Sequence, residues 1–297
     1  MSDTVLIFAN PIAGRGRGRV VAKRLERELA IAGYNAQAIL DRPSSIQLTD
    51  DQRASVAAIS IGGDGTLRGV VELLLDQGAT AALLPVPMGT ANLMGQHLGV
   101  QQWSAWDLGA AVRATLLRKQ VIHLDAARAN GKLFLLMAGV GIDAQVVHLL
   151  DQMRRGPIDF TSYVLPAALT LVNYDFPAIT VAVDGKRVVE DTPAIAMIGN
   201  VKEYGTGFPI LTRARPDDGL LDVCVIPCHD RRDLAEVLML VATAEHTLRE
   251  DVVYVNGKSI RVDSSAPVPV QLDGDSAGHT PLQVEMLPVR VPFLVPA

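Results

Sequence analysis

The chain has 297 residues, with 27 Lys plus Arg against 32 Asp plus Glu and a formal net charge of −5. At about 100–200 residues per domain this length makes one large or two ordinary domains. A composition of 49% hydrophobic and 20% charged residues excludes intrinsic disorder, and the acidic balance with only 4% aromatics excludes a general nucleic-acid binder. Two cysteines cannot build a disulfide framework, and Cys224 and Cys228 form a lone C-x3-C without a second pair of zinc ligands. A mean hydropathy of +0.25 raises the question of membrane spans. The best apolar runs, Leu133 to Ile142 and Leu234 to Ala244, fall short of the ~18 residues a span requires. Val5 to Ala9 is too short for the apolar region of a signal peptide. A cytoplasmic enzyme or binding protein is expected.

Taken in chain order, Val5 to Ala9, Ala36 to Leu40, Val56 to Ile61 and Ala81 to Val86 are short apolar runs bounded by Gly, Pro or Asp. Helical patterns follow them, through Val21, Leu25 and Leu29 and through Val70, Leu73 and Leu74. Strands alternating with helices predict a parallel sheet covered on both faces. Beyond residue 125 the pattern becomes strand-rich, with hairpin signals at Asp184-Gly185 and Asn256-Gly257. Helical stretches at Ala144 to Arg154 and Arg231 to Leu248 interrupt it. The expected architecture is an N-terminal Rossmann-like, doubly wound α/β domain over residues 1–125, followed by an antiparallel β-rich domain over 126–288.

Three glycine-containing loops each follow a predicted strand: Asn10-Pro11-Ile12-Ala13-Gly14 running on to Gly18, Gly62-Gly63-Asp64-Gly65-Thr66, and Pro87-Met88-Gly89-Thr90-Ala91-Asn92. In a doubly wound sheet such loops gather at the carboxyl ends of the strands, where ligands bind. Glycine lets backbone N–H groups approach phosphate, and the next helix adds partial positive charge. Each loop taken singly is also common architecture, and Arg15, Arg17 and Arg19 read equally well as a solvated face. Asp64 is the more specific feature. A purely structural turn has no evident use for a carboxylate there, whereas a Mg²⁺–nucleotide site needs one.

The three loops, in this order, resemble the catalytic domain shared by diacylglycerol kinases, sphingosine kinases and related bacterial lipid kinases. The Gly62–Thr66 block alone is also similar to NAD kinases and phosphofructokinases. The second half favours the lipid kinases through Asn200, Tyr204-Gly205-Thr206-Gly207, Ala214, Asp217-Asp218-Gly219-Leu220-Leu221-Asp222-Val223 and Gln271-Leu272-Asp273-Gly274-Asp275. The resemblance runs from Val5 to about Pro296. It implies an ATP-dependent lipid kinase using Mg²⁺, with a β-sandwich-like second domain, a last strand over about 289–297 returning to the first, and nucleotide in a cleft between them. By the same likeness Asn10, Pro11, Ile12, Ala13, Gly14, Gly62, Gly63, Asp64, Gly65, Thr66, Leu67, Arg68 and Thr90 contact the nucleotide. Asp125 matches an acidic position near that cleft. Arg215 and Leu220 through their carbonyls and Asp218 through its carboxylate match a magnesium site, although Pro216 to Gly219 also reads as a plain turn.

The family's general base is the Glu of a DGE triplet, and here Asp275 stands in its place with one methylene less. A displacement of about 1 Å can slow a reaction ~10²-fold, while a bridging water restores reach; an exposed Asp-Gly hairpin turn is the plainer alternative. Arg68, Leu93 and Asp41 also depart from the family pattern. The reading is therefore a kinase that phosphorylates a hydroxyl of a diacylglycerol-like or sphingoid-like lipid, with Asp64 organising Mg²⁺ and Asp275 taking the proton. Its alternatives are an NAD-kinase-like enzyme with a soluble substrate, or a catalytically weakened lipid- or nucleotide-binding regulator. The lipid implies peripheral membrane contact, for which helices at Val146 to Met153 and Tyr163 to Leu171 carry apolar residues that also suit core packing. No nucleic-acid partner is expected, and a homodimer stays open.

Overall fold

Apolar runs bounded by turn residues become strands here, and the 3.6-period segments between them become helices. The computed structural model describes residues 3–11, 13–89, 92–100, 107–153, 164–204 and 208–296. The chain divides into two units, Met1–Leu124 with Arg290–Ala297, and Asp125–Val289.

The first unit runs β1 (Thr4–Ala9), α1 (Ala13–Gly16), α2 (Gly18–Ile31), β2 (Asn35–Ile39), α3 (Asp50–Arg53), β3 (Ala57–Gly62), α4 (Asp64–Asp76), β4 (Ala82–Pro87), α5 (Leu93–His97), α6 (Leu108–Arg118) and β5 (Val121–Leu124). The second runs β6 (Ala127–Ala129), β7 (Lys132–Phe134), β8 (Met137–Val140), α7 (Ile142–Met153), α8 (Val164–Asn173), β9 (Ala178–Val183), β10 (Lys186–Gly199), β11 (Leu221–Pro227), α9 (Arg231–Ala242), β12 (Val253–Gly257), β13 (Ser259–Ser264), β14 (Pro269–Leu272), β15 (Asp275–His279) and β16 (Leu282–Met286). β17 (Val291–Leu294) closes the chain in the first unit.

The first unit holds a six-stranded sheet in the order β2-β1-β3-β4-β17-β5. Its pairs are parallel except β17 with β5. β1 and β3 are buried throughout, as strands covered on both faces must be. On one face Ala22, Leu25 and Leu29 of α2 and Leu108, Val112 and Leu116 of α6 form one core with Val5, Ile7, Ile59 and Leu84. On the other face Leu6, Phe8, Ala58 and Leu83 are equally buried, and α4 lies on β3.

The second unit is built on an antiparallel eleven-stranded sheet. β10 is long enough to serve both halves: its first part pairs with β9 through two register shifts, and its last part pairs with β8 and β11. The sheet therefore curls, and Val181, Ile198, Val223, Ile260, Val270 and Val284 meet in one core. The expected fold class, a parallel α/β unit followed by an antiparallel β unit, is the one observed. Among the described residues no helix is long and apolar enough to cross a membrane.

Two local expectations need correction. Asn256-Gly257 does not turn a hairpin: β12 pairs with β11, whereas β13 pairs with β9 and β16. Gly257 serves close approach instead, because a Cβ there would lie 2.4 Å from Val183 Cγ1 and 2.8 Å from Asp184 Oδ2. Asp184 Oδ1 accepts the Lys258 and Ser259 N–H groups at 2.9 Å each, so the Asp184-Gly185 turn of β9 and β10 is tied down at this point. Gly257→Ala should lower stability by about 1–3 kcal/mol, the usual range for overpacking, measured by urea denaturation. The Arg231 to Leu248 stretch is not one helix either. α9, whose N-terminal amides Arg232 and Asp233 donate to Asp230, ends at Ala242, and Ala244 adopts φ +60°. A separate 3₁₀ turn, His246–Leu248, follows and buries His246 against the Ile210 carbonyl. Tyr163 and Arg154 of the expected apolar helices lie outside the described residues.

Candidate functional site

In the first unit, β1, β3 and β4 are neighbours, so the loops after them start side by side. The loop after β1 is tied to β3 by the Asn10 N–H, which donates to Ile61 O at 3.2 Å. Asn10 O accepts the Ala13 N–H at 3.0 Å, and a Cβ on Gly18 would lie 2.1 Å from that same carbonyl oxygen. Gly14 takes φ +58°, and its carbonyl accepts from Arg17 Nε at 3.0 Å. The loops after β3 and β4 touch through glycine: a Cβ on Gly89 would sit 2.7 Å from Gly63 Cα, and the Met88 N–H donates to Gly62 O at 2.8 Å. Thr66 is partly exposed, whereas Leu67 turns into the core. Arg68 is partly exposed on α4. Ile12 and Thr90 lie outside the described residues.

Asp64 opens α4, and its placement differs from the sequence expectation. Its Oδ2 accepts the Leu93 N–H at 3.0 Å and its Oδ1 the Met94 N–H at 3.1 Å, so it caps α5 from across the sheet edge. Asn92, at φ 51°, completes the joint by bonding both the N–H and the carbonyl of Gly89. A structural use for this carboxylate therefore exists. Burial raises its pKa, and the amides of Met94 and Leu93 pull it part of the way back. A small cavity of about 10 Å³ lies behind it, lined by Ser60, Gly62, Gly63, Asp64, Asn92 and Gly95 among others. Gly65, in the first turn of α4, is exposed, so the positive end of a 13-residue helix reaches the surface here. A helix start of this kind suits a phosphate group.

In the second unit, Asp125 and the Pro216–Gly219 turn hold each other. Asp125 N–H donates to Pro216 O at 2.6 Å, and Asp125 Oδ2 accepts the Gly219 N–H at 2.6 Å. Gly219 has φ +78°, Asp218 Oδ1 accepts the Leu220 N–H at 3.1 Å, and Arg215 pairs with Asp217 at 3.7 Å. Asn200 Nδ2 donates to the carbonyls of Asp125 and Leu135. Nearby Asp222 has its pKa raised, first by burial, with a smaller contribution from Asp218, while Tyr254 lowers it. Two carboxylates and several backbone carbonyls on one turn are hard oxygen donors, a set compatible with Mg²⁺. Gly205, Thr206 and Gly207 lie outside the described residues.

The Asp273-Gly274-Asp275 segment turns the β14–β15 hairpin, with φ 50° at Asp273 and φ 82° at Gly274. The Asp273 carboxylate accepts three consecutive backbone N–H groups, Leu135 at 2.9 Å, Leu136 at 2.9 Å and Met137 at 3.1 Å. Asp275 is the first residue of β15 and is exposed. Sequence reasoning singled out Asp275 and assigned no role to the restraint around it. Asp143, His148 and Asp151 of α7 were not among the candidates; they sit inside a helical run without any motif to mark them.

The diacylglycerol kinase catalytic domain matches residues 4–129, and the YegS C-terminal NAD kinase beta sandwich-like domain matches residues 137–295. A diacylglycerol kinase of Staphylococcus epidermidis is 24% identical over the full chain and 93% of its own length. A Pseudomonas aeruginosa protein named as a YegS-like lipid kinase is 27% identical over 80% of this chain and 75% of its own. The crystal structure of a diacylglycerol kinase from Bacillus anthracis superposes with a TM-score of 0.71 at 24% identity, covering 99% of this chain and 97% of that one. With both of its units matched in order, the chain belongs to the family that joins a diacylglycerol kinase catalytic domain to a YegS-type C-terminal domain, a family of lipid kinases.

Proposed function

We propose that the chain transfers the γ-phosphoryl group of ATP to a hydroxyl of a membrane lipid, diacylglycerol-like or sphingoid-like, in a Mg²⁺-dependent reaction. The observation that carries this reading is the Asp273–Asp275 turn, an exposed carboxylate on a segment pinned by three amides of the chain it crosses. Bound ATP supplies the transferable phosphoryl group and Mg²⁺ neutralises its oxygens. The backbone of Asn10 to Gly14 and of Gly62 to Arg68, with Thr90, binds and orients the polyphosphate. Asp64 keeps the loops after β3 and β4 in register while remaining able to bind through its other lone pairs. Asp275 takes the proton of the lipid hydroxyl as its oxygen bonds to the γ-phosphorus and the bond from that phosphorus to the β,γ-bridging oxygen breaks, with ADP as the leaving group. An ATP assay with radiolabel against a panel of lipid classes tests this reading, and absence of label in every lipid rejects it. NAD belongs on the same panel, because the description of the C-terminal family includes NAD kinase.

Asp218, with the carbonyls of Arg215 and Leu220, would hold a magnesium ion beside Asp125. Asp218→Ala should lower activity and move the Mg²⁺ dependence to higher concentration; an unchanged magnesium titration supports the plain-turn reading instead. The substrate's location implies peripheral docking of a cytoplasmic protein. α8 leaves Leu165 and Leu169 exposed one turn apart, 53% and 39% accessible, which supports contact with an apolar surface.

A further inference from the structure

α7 meets the β14–β15 hairpin at three points. Toward its C-terminal end, Asp151 Oδ2 accepts the Ser276 N–H at 3.3 Å. In its middle, His148 Nε2 lies 3.1 Å from Val270 O, and its ring stands edge-on to His279 with centroids 5.2 Å apart. At its start, Asp143 Oδ2 accepts from Gln271 Nε2 at 3.2 Å, and Gln271 Oε1 accepts the Gly274 N–H at 2.8 Å. Gln271 is fully buried. An ionised carboxylate only accepts and an amide NH₂ only donates, so Asp143 dictates which way the Gln271 amide faces. That orientation is the one that leaves its oxygen for Gly274.

The arrangement is unfavourable for packing alone. Burial pushes the Asp143 carboxyl up to about 6, offset in part by the Ala144 amide and Gln271. Its Oδ1 is buried with no partner among the described residues. Residue 139 is glycine, and a Cβ there would lie 2.0 Å from Asp143 Oδ2 and 2.7 Å from Gln271 Nε2, so any side chain at this position would push that pair apart. A buried charge of this kind is generally no better for stability than a well-packed apolar residue. What it does achieve is to fix one amide in the middle of the turn that carries Asp275.

We propose that Asp143, acting through Gln271, is a positioning residue that holds the Asp273-Gly274-Asp275 turn and so aims the Asp275 carboxylate. The proposal rests on the reading of Asp275 as the base. Asp143→Ala removes the acceptor and frees the Gln271 amide to rotate. Asp143→Asn keeps an acceptor oxygen for Gln271 Nε2, removes the charge and puts an NH₂ in place of the other carboxylate oxygen.

The test measures kinetics with ATP and a diacylglycerol in detergent micelles, together with hydrogen exchange of the peptide spanning Gly274. Asp143→Ala should lower kcat by about tenfold or more with KM for ATP held within about twofold, and exchange at Gly274 should accelerate. Asp143→Asn should recover most of kcat and, at pH 7.5, melt at a higher temperature than the native chain. Should Asp143→Ala not fold, Gln271→Met removes the same relay and is read the same way. Unchanged exchange at Gly274, or an Asn variant no better than the Ala variant, overturns the proposal. If the native protein labels no lipid, the kinase reading fails on its own, and exchange alone then decides whether Asp143 holds the turn.

Discussion

Asp275→Asn should abolish lipid phosphorylation while leaving ATP affinity unchanged. The amide reproduces the shape of the carboxylate but cannot take the proton, and general-base catalysis is worth ~10²–10⁴-fold. The turn around it should survive, because its restraints come from Asp273, Gln271 and Asp151. Asp275→Glu makes a sharper comparison. A faster rate identifies an enzyme limited by its short side chain, whereas a slower rate identifies a pocket fitted to Asp. Both variants should be assayed across pH, since a base that must be ionised loses rate as acid protonates it. Full activity in Asp275→Asn removes it from the reaction. Asp273 is then the neighbouring carboxylate to consider, but its two oxygens already serve three backbone amides, and releasing them would loosen the junction between β7 and β8.

The parallel sheet was legible because burial on both faces writes a near-continuous apolar run, as in Val5 to Ala9 and, broken by Ser60 alone, Ala57 to Ile61. The antiparallel unit was legible as a class but not in its pairings. Asn256-Gly257 carries a hairpin signal, and only the three-dimensional approach of Asp184 reveals that this glycine makes room for a carboxylate. The end of α9 was equally hidden, since Thr243 and Ala244 are not strong helix breakers and Ala244 nonetheless adopts φ +60°. At the candidate site, glycine and aspartate at strand ends marked the loops and the hairpin turn. What each carboxylate bonds to was not readable. Asp64 reaches amides 29 and 30 residues away, and Asp273 reaches amides 136 to 138 residues away. Sequence spacing carries no trace of contacts at that range. Asp143 was missed for the same reason, since its partner Gln271 lies 128 residues on.

Asp64→Ala should weaken nucleotide binding and lower stability together. Two amides at the start of α5 lose their acceptor, and losing a helix cap generally costs about 0.5–2 kcal/mol. The segment joining Gly89 to α5 should loosen with it, and with it the glycine contact between Gly63 and Gly89. Calorimetry with and without Mg²⁺ separates the two duties of this carboxylate. A cap alone weakens ATP binding equally in both conditions, while a metal-organising role weakens it only when Mg²⁺ is present. pH gives a second check. Burial raises the Asp64 pKa, so the folded state retains this proton to higher pH than the unfolded chain does. The contribution of Asp64 to stability is therefore greatest at low pH and falls as pH rises from the unfolded value, about 3.9, through the folded one. Asp64→Asn lacks that ionisation, and its stability should rise relative to the native protein across this window. A constant difference between the two would mean that the carboxyl is solvated instead of held against α5. Unchanged Mg²⁺–ATP affinity and unchanged turnover in Asp64→Ala would remove Asp64 from the nucleotide site and show that its cap on α5 does not support nucleotide binding.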